Sequence, residues 1–247
     1  MKLGTRRFRP DKSDSALVIE HNNISGLVSY WYDGTHQSVA DKNGVSLADY
    51  IHAMYGFLRQ TRARDVLMIG CGGGTLATML HREGVHVTIV DIDPRSFDIA
   101  RRHFHLPEGV ACHVDDGAAF IRRTRARFDA IVLDAFEGDD FPAVFAKASY
   151  FAAVKAHLAG ANAIYLENIL VEDDDDRAPD ARARLLQETW PDDVRLLDCD
   201  GWVDRNAVIA AGAVRGLRRP KLIVPPARGV KKLERHLDSL RFRRLRS

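Results

Sequence analysis

Three short apolar runs in the chain end in acids: Asp91 closes 85–90, Asp115 and Asp116 close 110–114, and Asp134 closes 130–133. A carboxylate at the end of a buried strand can accept ribose hydroxyls, hold an ammonium group, or take a proton from it. A fourth run, 66–69, ends instead in glycines, as DVLMIGCGGGT with Gly70, Gly72, Gly73 and Gly74. Glycines let the backbone pass close to a ligand, and the helix predicted beyond them by Leu76, Ala77, Met79 and Leu80 presents free N–H groups to it. Asp91 stands 21 residues after Gly70, near the spacing at which a ribose-binding acid follows such a turn. This set points to nucleoside binding. A dinucleotide fingerprint needs a glycine where Thr75 stands, whereas Gly70-x-Gly72-x-Gly74 matches the S-adenosylmethionine (AdoMet) pattern, so an adenosyl sulfonium is the expected ligand.

Other reactive residue types carry less. His103-x-His105 is the closest histidine pair, no Cys/His cluster has zinc-ligand spacing, and no metal is expected. Cys71 sits in the glycine turn without a nearby His or third group to activate it, and is read as packing. The acidic run 172–176 is read as a solvated loop rather than a cation site.

The elements that must position these acids follow from periodicity. Residues 1–15 are polar and basic and predicted to fray. The next stretch is rich in β-branched and aromatic residues and broken at Asn22-Asn23 and Asp33-Gly34, which predicts a small antiparallel β unit. A helix over 47–58 leads into the glycine strand. Strands then alternate with helices: Pro94 opens one helix, 145–158 forms another, and a strand at 163–166 is expected to end at Glu167-Asn168. Such alternation predicts an α/β fold, a Rossmann-like, doubly wound sheet of the AdoMet-dependent methyltransferase type, preceded by the small N-terminal β unit. Ligands bind such sheets beyond the carboxyl ends of the strands, so the glycine turn, Asp91, Asp116, Asp134 and Glu167 are all expected at one crevice. Segments 194–197 and 207–211 read as an antiparallel pair at the sheet edge. We divide the chain into a β unit with its connecting helix at 1–60 and a catalytic domain at 61–247.

At 247 residues the chain is long enough to bury a sizeable core without disulfides, and its three cysteines are far apart. Net charge is +2, but the last 33 residues carry +10, leaving −8 for the rest. Val230, Leu233, Leu237 and Leu240 repeat at helical spacing within that basic tail, and apart from Phe242 no aromatic is interleaved to stack on bases. The tail is therefore expected to dock as an amphipathic helix, with nucleic-acid binding disfavoured. No apolar run approaches membrane-spanning length and no signal-like segment opens the chain, so a cytoplasmic protein is expected.

Four motifs, in matching order over residues 16–211, resemble the spermidine synthase (polyamine aminopropyltransferase) family. YDGTHQS is similar to the family's D-G-x-x-Q-S turn, VLMIGCGGGT to V-L-I-I-G-G-G-D-G-G, VTIVDIDP to V-x-x-V-E-I-D-P, and FDAIVLDAF to F-D-V-I-I-x-D-S. The resemblance implies that Gly70, Gly72 and Gly74 form the nucleoside loop and that Asp91 holds the ribose. It implies that Asp116, with Asp115 beside it, reaches the adenine amine, and that Gln37 closes over the nucleoside. Asp134 takes the place of the catalytic aspartate that orients and deprotonates the attacking amine. Tyr50, His52 and Glu137 stand, loosely, where the family binds its amine substrate, and a homodimer joined partly through the N-terminal strands is implied. Two departures are visible. Gly73 replaces the loop aspartate that grips the aminopropyl amine, and the family's D-S-S-D becomes Asp134-Ala135-Phe136-Glu137. The resulting DAFEGDD resembles a divergent bacterial branch of spermidine synthase-like proteins, often fused to membrane transporter segments.

The expected function is a spermidine synthase-like transfer, within polyamine biosynthesis, of an aminopropyl group from decarboxylated AdoMet to a polyamine or related amine. The first alternative is methyl transfer from AdoMet, for which Gly73 removes a charge that would repel the methionine carboxylate. The second is a non-catalytic nucleoside-binding module.

Overall fold

The computed structural model describes residues 5–8, 16–136 and 142–246. Its N-terminal part is a four-stranded antiparallel sheet, β1 (Thr5–Phe8), β2 (Leu17–Asn22), β3 (Leu27–Tyr32) and β4 (Thr35–Ala40), in that order. Alternation along β2 and β3 gives it one apolar face: Leu17, Ile19, Val28 and Tyr30 are buried together with Ile99 and Phe104 of helix α3 (Pro94–Phe104). The β unit is thereby seated on the larger body. Thr5–Phe8 belongs to this sheet, paired antiparallel with β2, although its polar composition predicts fraying. A strand held by backbone bonds on one side needs no apolar side chains of its own.

Helix α1 (Asp49–Thr61) leads to the main sheet of eight strands. Five are parallel: β5 (Asp65–Ile69), β6 (His86–Asp91), β7 (Ala111–Val114), β8 (Ala130–Leu133) and β9 (Ile164–Val171). The remainder are β10 (Val194–Asp198), β11 (Arg205–Gly212) and β12 (Arg241–Arg243), each antiparallel to its neighbours. The spatial order is β12-β10-β11-β9-β8-β5-β6-β7. Helices cover both faces. On one side α1 and α2 (Thr75–Arg82) pack with α7 (Val230–Ser239) through Met54, Phe57, Leu76, Leu233 and Leu237. On the other, α4 (Gly117–Arg123), α5 (Ala148–His157) and α6 (Ala178–Gln187) bury Ile121, Phe151 and Leu186 against Leu67, Ile131 and Tyr165. This is the doubly wound α/β fold of the AdoMet-dependent methyltransferase type, with its antiparallel β unit in front. Among the described residues no helix is long and apolar enough to cross a membrane.

Four expectations are corrected. The predicted helix over 145–158 is broken: Ala143–Ala146 is a 3₁₀ turn and α5 starts at Ala148. Strand β9 runs eight residues, not four, so Glu167 and Asn168 lie within it and point to opposite faces. Strands β10 and β11 are not the sheet edge, because β12 pairs outside β10. Part of the basic tail thus becomes a strand. Its helix α7 docks as expected, with Leu233, Leu237 and Leu240 buried.

Candidate active site

The crevice beyond the carboxyl ends of β5, β6 and β8 is a cavity of about 550 Å³, roofed by β3 and β4. That volume lies in the ordinary range for small-molecule sites. Gly70, Cys71 and Gly72 form its floor, and Gln37 and Ser38 on β4 lie against the same turn. The Ser38 hydroxyl accepts the Gly73 N–H at 2.8 Å, tying the β unit to the glycine turn. Gly70 is required for a reason other than ligand approach. Its φ is +96°, and a Cβ there would run into the carbonyl oxygen of Asp134. Gly73 does not face the cavity: a Cβ on it would meet Phe104 and Ser38 at 2.9 Å. The room it leaves is filled by the protein's own packing, which removes it as a reason to favour intact AdoMet.

Asp91 closes β6 beside the turn. Its Oδ2 accepts the Cys71 N–H and its Oδ1 the Asp93 N–H, each at 2.8 Å. Burial raises its pKa, and these hydrogen bonds only partly oppose that. Cys71 is buried and its thiol is pushed well up by burial and then by Asp91, which agrees with a packing role. Asp116 caps α4, accepting the Ala119 N–H at 2.6 Å, and reaches the cavity wall. Asp115 does not line the cavity; it pairs with Arg123.

Asp134, next after β8, is the centre of a polar cluster. Tyr50 on α1 donates to its Oδ2 at 3.4 Å and Asn168 on β9 to its Oδ1 at 2.8 Å, while Asn206 on β11 donates to the Asn168 oxygen at 3.0 Å. Burial raises the Asp134 pKa, against the two donors; burial and Asp134 itself push the Tyr50 phenol well up. No lysine or arginine lines the cavity among the described residues, whereas Asp91, Asp93, Asp116 and Asp134 all do.

Glu167, expected here, is absent from the crevice. It points to the other face of β9, fully buried, and pairs with Arg182 of α6 at 2.5 Å while accepting from Tyr165. Asn168 occupies the crevice side instead. His52 is also set back from the wall. It is buried in α1, with Nε2 2.8 Å from the Ser46 carbonyl, and burial lowers its pKa. Glu137 lies outside the described residues. Sequence reasoning missed Ser38, Tyr30, Asn168 and Asn206. Ser38 had a signal as the last letter of YDGTHQS and Asn168 as the partner of Glu167 at the expected strand end; Tyr30 and Asn206 had none. Among the described residues no group of three or more His, Cys, Asp or Glu is arranged to hold a metal ion.

The family model "Methyltransferase domain" matches residues 66–153, from the glycine strand into α5. A polyamine aminopropyltransferase of Neisseria meningitidis is 34% identical over 145 residues, 54% of this chain and 54% of that protein. An eEF1A lysine and N-terminal methyltransferase homolog of Drosophila pseudoobscura pseudoobscura is 41% identical over 78 residues, 29% of this chain and 12% of its own. The chain thus spans about half, or much less, of the length of these relatives. Among solved structures, a probable spermidine synthase from Corynebacterium glutamicum superposes with a TM-score of 0.73 at 16% identity, covering 97% of this chain and 90% of that one. A spermidine synthase in complex with the transition-state analogue AdoDATO superposes at 0.63 and 18% identity, covering 95% and 83%. These likenesses bear out the resemblance read from the four motifs and a transferase fold, with methyltransferases among the relatives. Over about half its length the chain is similar in sequence to polyamine aminopropyltransferases, and its fold is similar to that of the spermidine synthases, on a sheet of the methyltransferase type.

Proposed function

We propose that the protein transfers an aminopropyl group from decarboxylated AdoMet to an amine. One observation carries this reading: the charged residues that line the described cavity are carboxylates, apart from the titratable His36, with no lysine or arginine beside them. Such a wall suits a ligand bearing both a sulfonium and an ammonium, and provides no cationic side chain for the carboxylate of intact AdoMet. The residues present fit the nucleoside: Asp91 for the ribose, Asp116 for the base, and the glycine turn with Gln37 and Ser38 to enclose it.

A sulfonium supplies an electrophilic carbon and a neutral thioether leaving group. Asp134 then has two tasks. As a carboxylate it draws the incoming ammonium to the strand ends; as a base it accepts the proton that the amine must lose for its lone pair to attack the carbon next to sulfur. As the new N–C bond forms the C–S bond breaks, its electron pair remaining on sulfur, and the proton on Asp134 passes to solvent. Tyr50 and Asn168 hold both carboxylate oxygens during this exchange. A raised pKa suits a group that must accept a proton and release it again. Assembly as a homodimer is part of the same proposal.

Methyl transfer remains the competing reading, favoured by the methyltransferase model over 66–153. The deciding test is incubation with AdoMet, its decarboxylated form and a panel of di- and polyamines, with products identified by mass spectrometry. Methylthioadenosine with an enlarged amine supports the proposal. S-adenosylhomocysteine replaces it with methyl transfer, and nucleoside binding without either product replaces it with a non-catalytic binding module.

A further inference from the structure

Asp134 directly follows β8, and Asn168 and Asn206 lie on β9 and β11, three strands that are adjacent in the sheet. Their contacts form a directed chain. An ionised Asp134 only accepts, so Asn168 must turn its NH2 group toward it, at 2.8 Å. The Asn168 carbonyl oxygen then points the other way and needs a donor, which Asn206 supplies through Nδ2 at 3.0 Å. Turned over, Asn168 would set oxygen against a carboxylate and NH2 against NH2. An amide next to a carboxylate has two faces of nearly equal shape, and only its partners choose between them.

The register makes this chain possible. Asn168 pairs with Val208 across the β9–β11 ladder and Asn206 with Leu170, so the two asparagines are diagonal neighbours on one face. The end of β11 is itself held down: the adjoining Arg205 reaches Asp198 of β10 at 2.9 Å.

We infer that Asn206 is a positioning residue for Asp134: by fixing the orientation of the Asn168 amide, it keeps a hydrogen-bond donor on the carboxylate and so holds it ready to accept a proton. This rests on the proposed function in taking Asp134 as the working carboxylate. Among the described residues the titratable group in contact with Asp134 is Tyr50 of α1; Cys71 of the turn, Asp91 of β6, Asp93 and Asp116 share the cavity, Tyr30, Tyr32 and His36 look in from the β unit, and β9 and β11 contribute neutral amides. A shift on changing Asn206 therefore reads the amide chain and not a lost charge.

The test needs no turnover, so it is separable from failure of the transfer reaction. The protein is labelled with [13C]carboxyl aspartate, the Asp134 resonance is assigned by its loss in Asp134→Asn, and its titration is followed in the wild type, Asn206→Leu, Asn206→Ala and Asn168→Ala. Asn168→Ala removes the donor outright and is expected to raise the Asp134 pKa. The inference requires Asn206→Leu and Asn206→Ala to raise it too, by about half a unit or more. Asn206→Ala carries the test if the leucine variant fails to fold. Wild-type titration in both Asn206 variants overturns it, whether or not Asn168→Ala shifts.

Discussion

Asp134 and Asp198 both stand at strand ends of the main sheet, and their surroundings push their pKa values in opposite directions. Burial raises both. Asp198 is enclosed by Arg205 and Arg243, each donating at 2.9 Å, and by the Cys199 N–H, which together overcome burial and hold it below the usual carboxylate range. Arg243 extends the same network to Asp180, likewise lowered. Asp134 has a phenol and an amide for company and stays raised. The arginine-paired acids join α6, β10, β11 and β12; the acid held by neutral donors lines a cavity open to a cation. An acid without its own arginine is available to a ligand.

The strongest attempt to break this contrast is Asp134→Asn. If the carboxylate works as the base, turnover falls roughly 10²- to 10⁴-fold, while urea unfolding at neutral pH shows stability unchanged or increased. The sign follows from the raised pKa: the charged form opposes folding, so what Asp134 contributes in its protonated form is lost as pH rises through its folded value. Loss of stability in this variant would contradict that assignment.

Arg182→Met probes the opposite case. It strands Glu167, whose side chain is 0% exposed, and should cost about 3–5 kcal/mol in urea unfolding. Acid titration of the wild type sharpens the same point. With lowered folded pKa values, Asp198 and Asp180 contribute stability above the usual value of 3.8 and lose it as pH falls through their folded values, so unfolding should set in below about pH 3.8. Unfolding complete well above that pH would deny these pairs their part.

Gly73→Ala comes next. A Cβ there meets Phe104 and Ser38 at 2.9 Å, so about 1–3 kcal/mol of stability should be lost. Full stability with altered nucleoside preference would return Gly73 to the site. Tyr50→Phe should have the smallest effect: a contact of 3.4 Å is weak, and we expect less than about a tenfold fall in turnover, measured with the same product assay.

Much of this was legible in the chain itself. The apolar run before Gly70, the acids Asp91, Asp116 and Asp134 at three strand ends, and the Asp33-Gly34 hairpin are local signals, because strand period, turn chemistry and helix periodicity act over a few residues. Tyr50 as a substrate-side residue came from the resemblance; that its phenol reaches Asp134 is supplied by the fold. What local pattern leaves open is which side a residue of a fully buried strand will face. In YLENILV no apolar–polar alternation marks Glu167 as the acid turned away from the crevice and Asn168 as the amide turned toward it; the pairing of β9 between β8 and β11 decided that.

The sequence alone determined that a glycine-turned parallel sheet would gather carboxylates at one end, since each element carries its own signal. The tertiary structure decided which acids remain available to a ligand. Arg182, Arg205 and Arg243 reach Glu167 and Asp198 from 15, 7 and 45 residues away, and Asn206 reaches Asn168 from 38. Whether a buried carboxylate is neutralised by an arginine or kept by an amide is a property of neighbours in space, which the order of residues along the chain does not display.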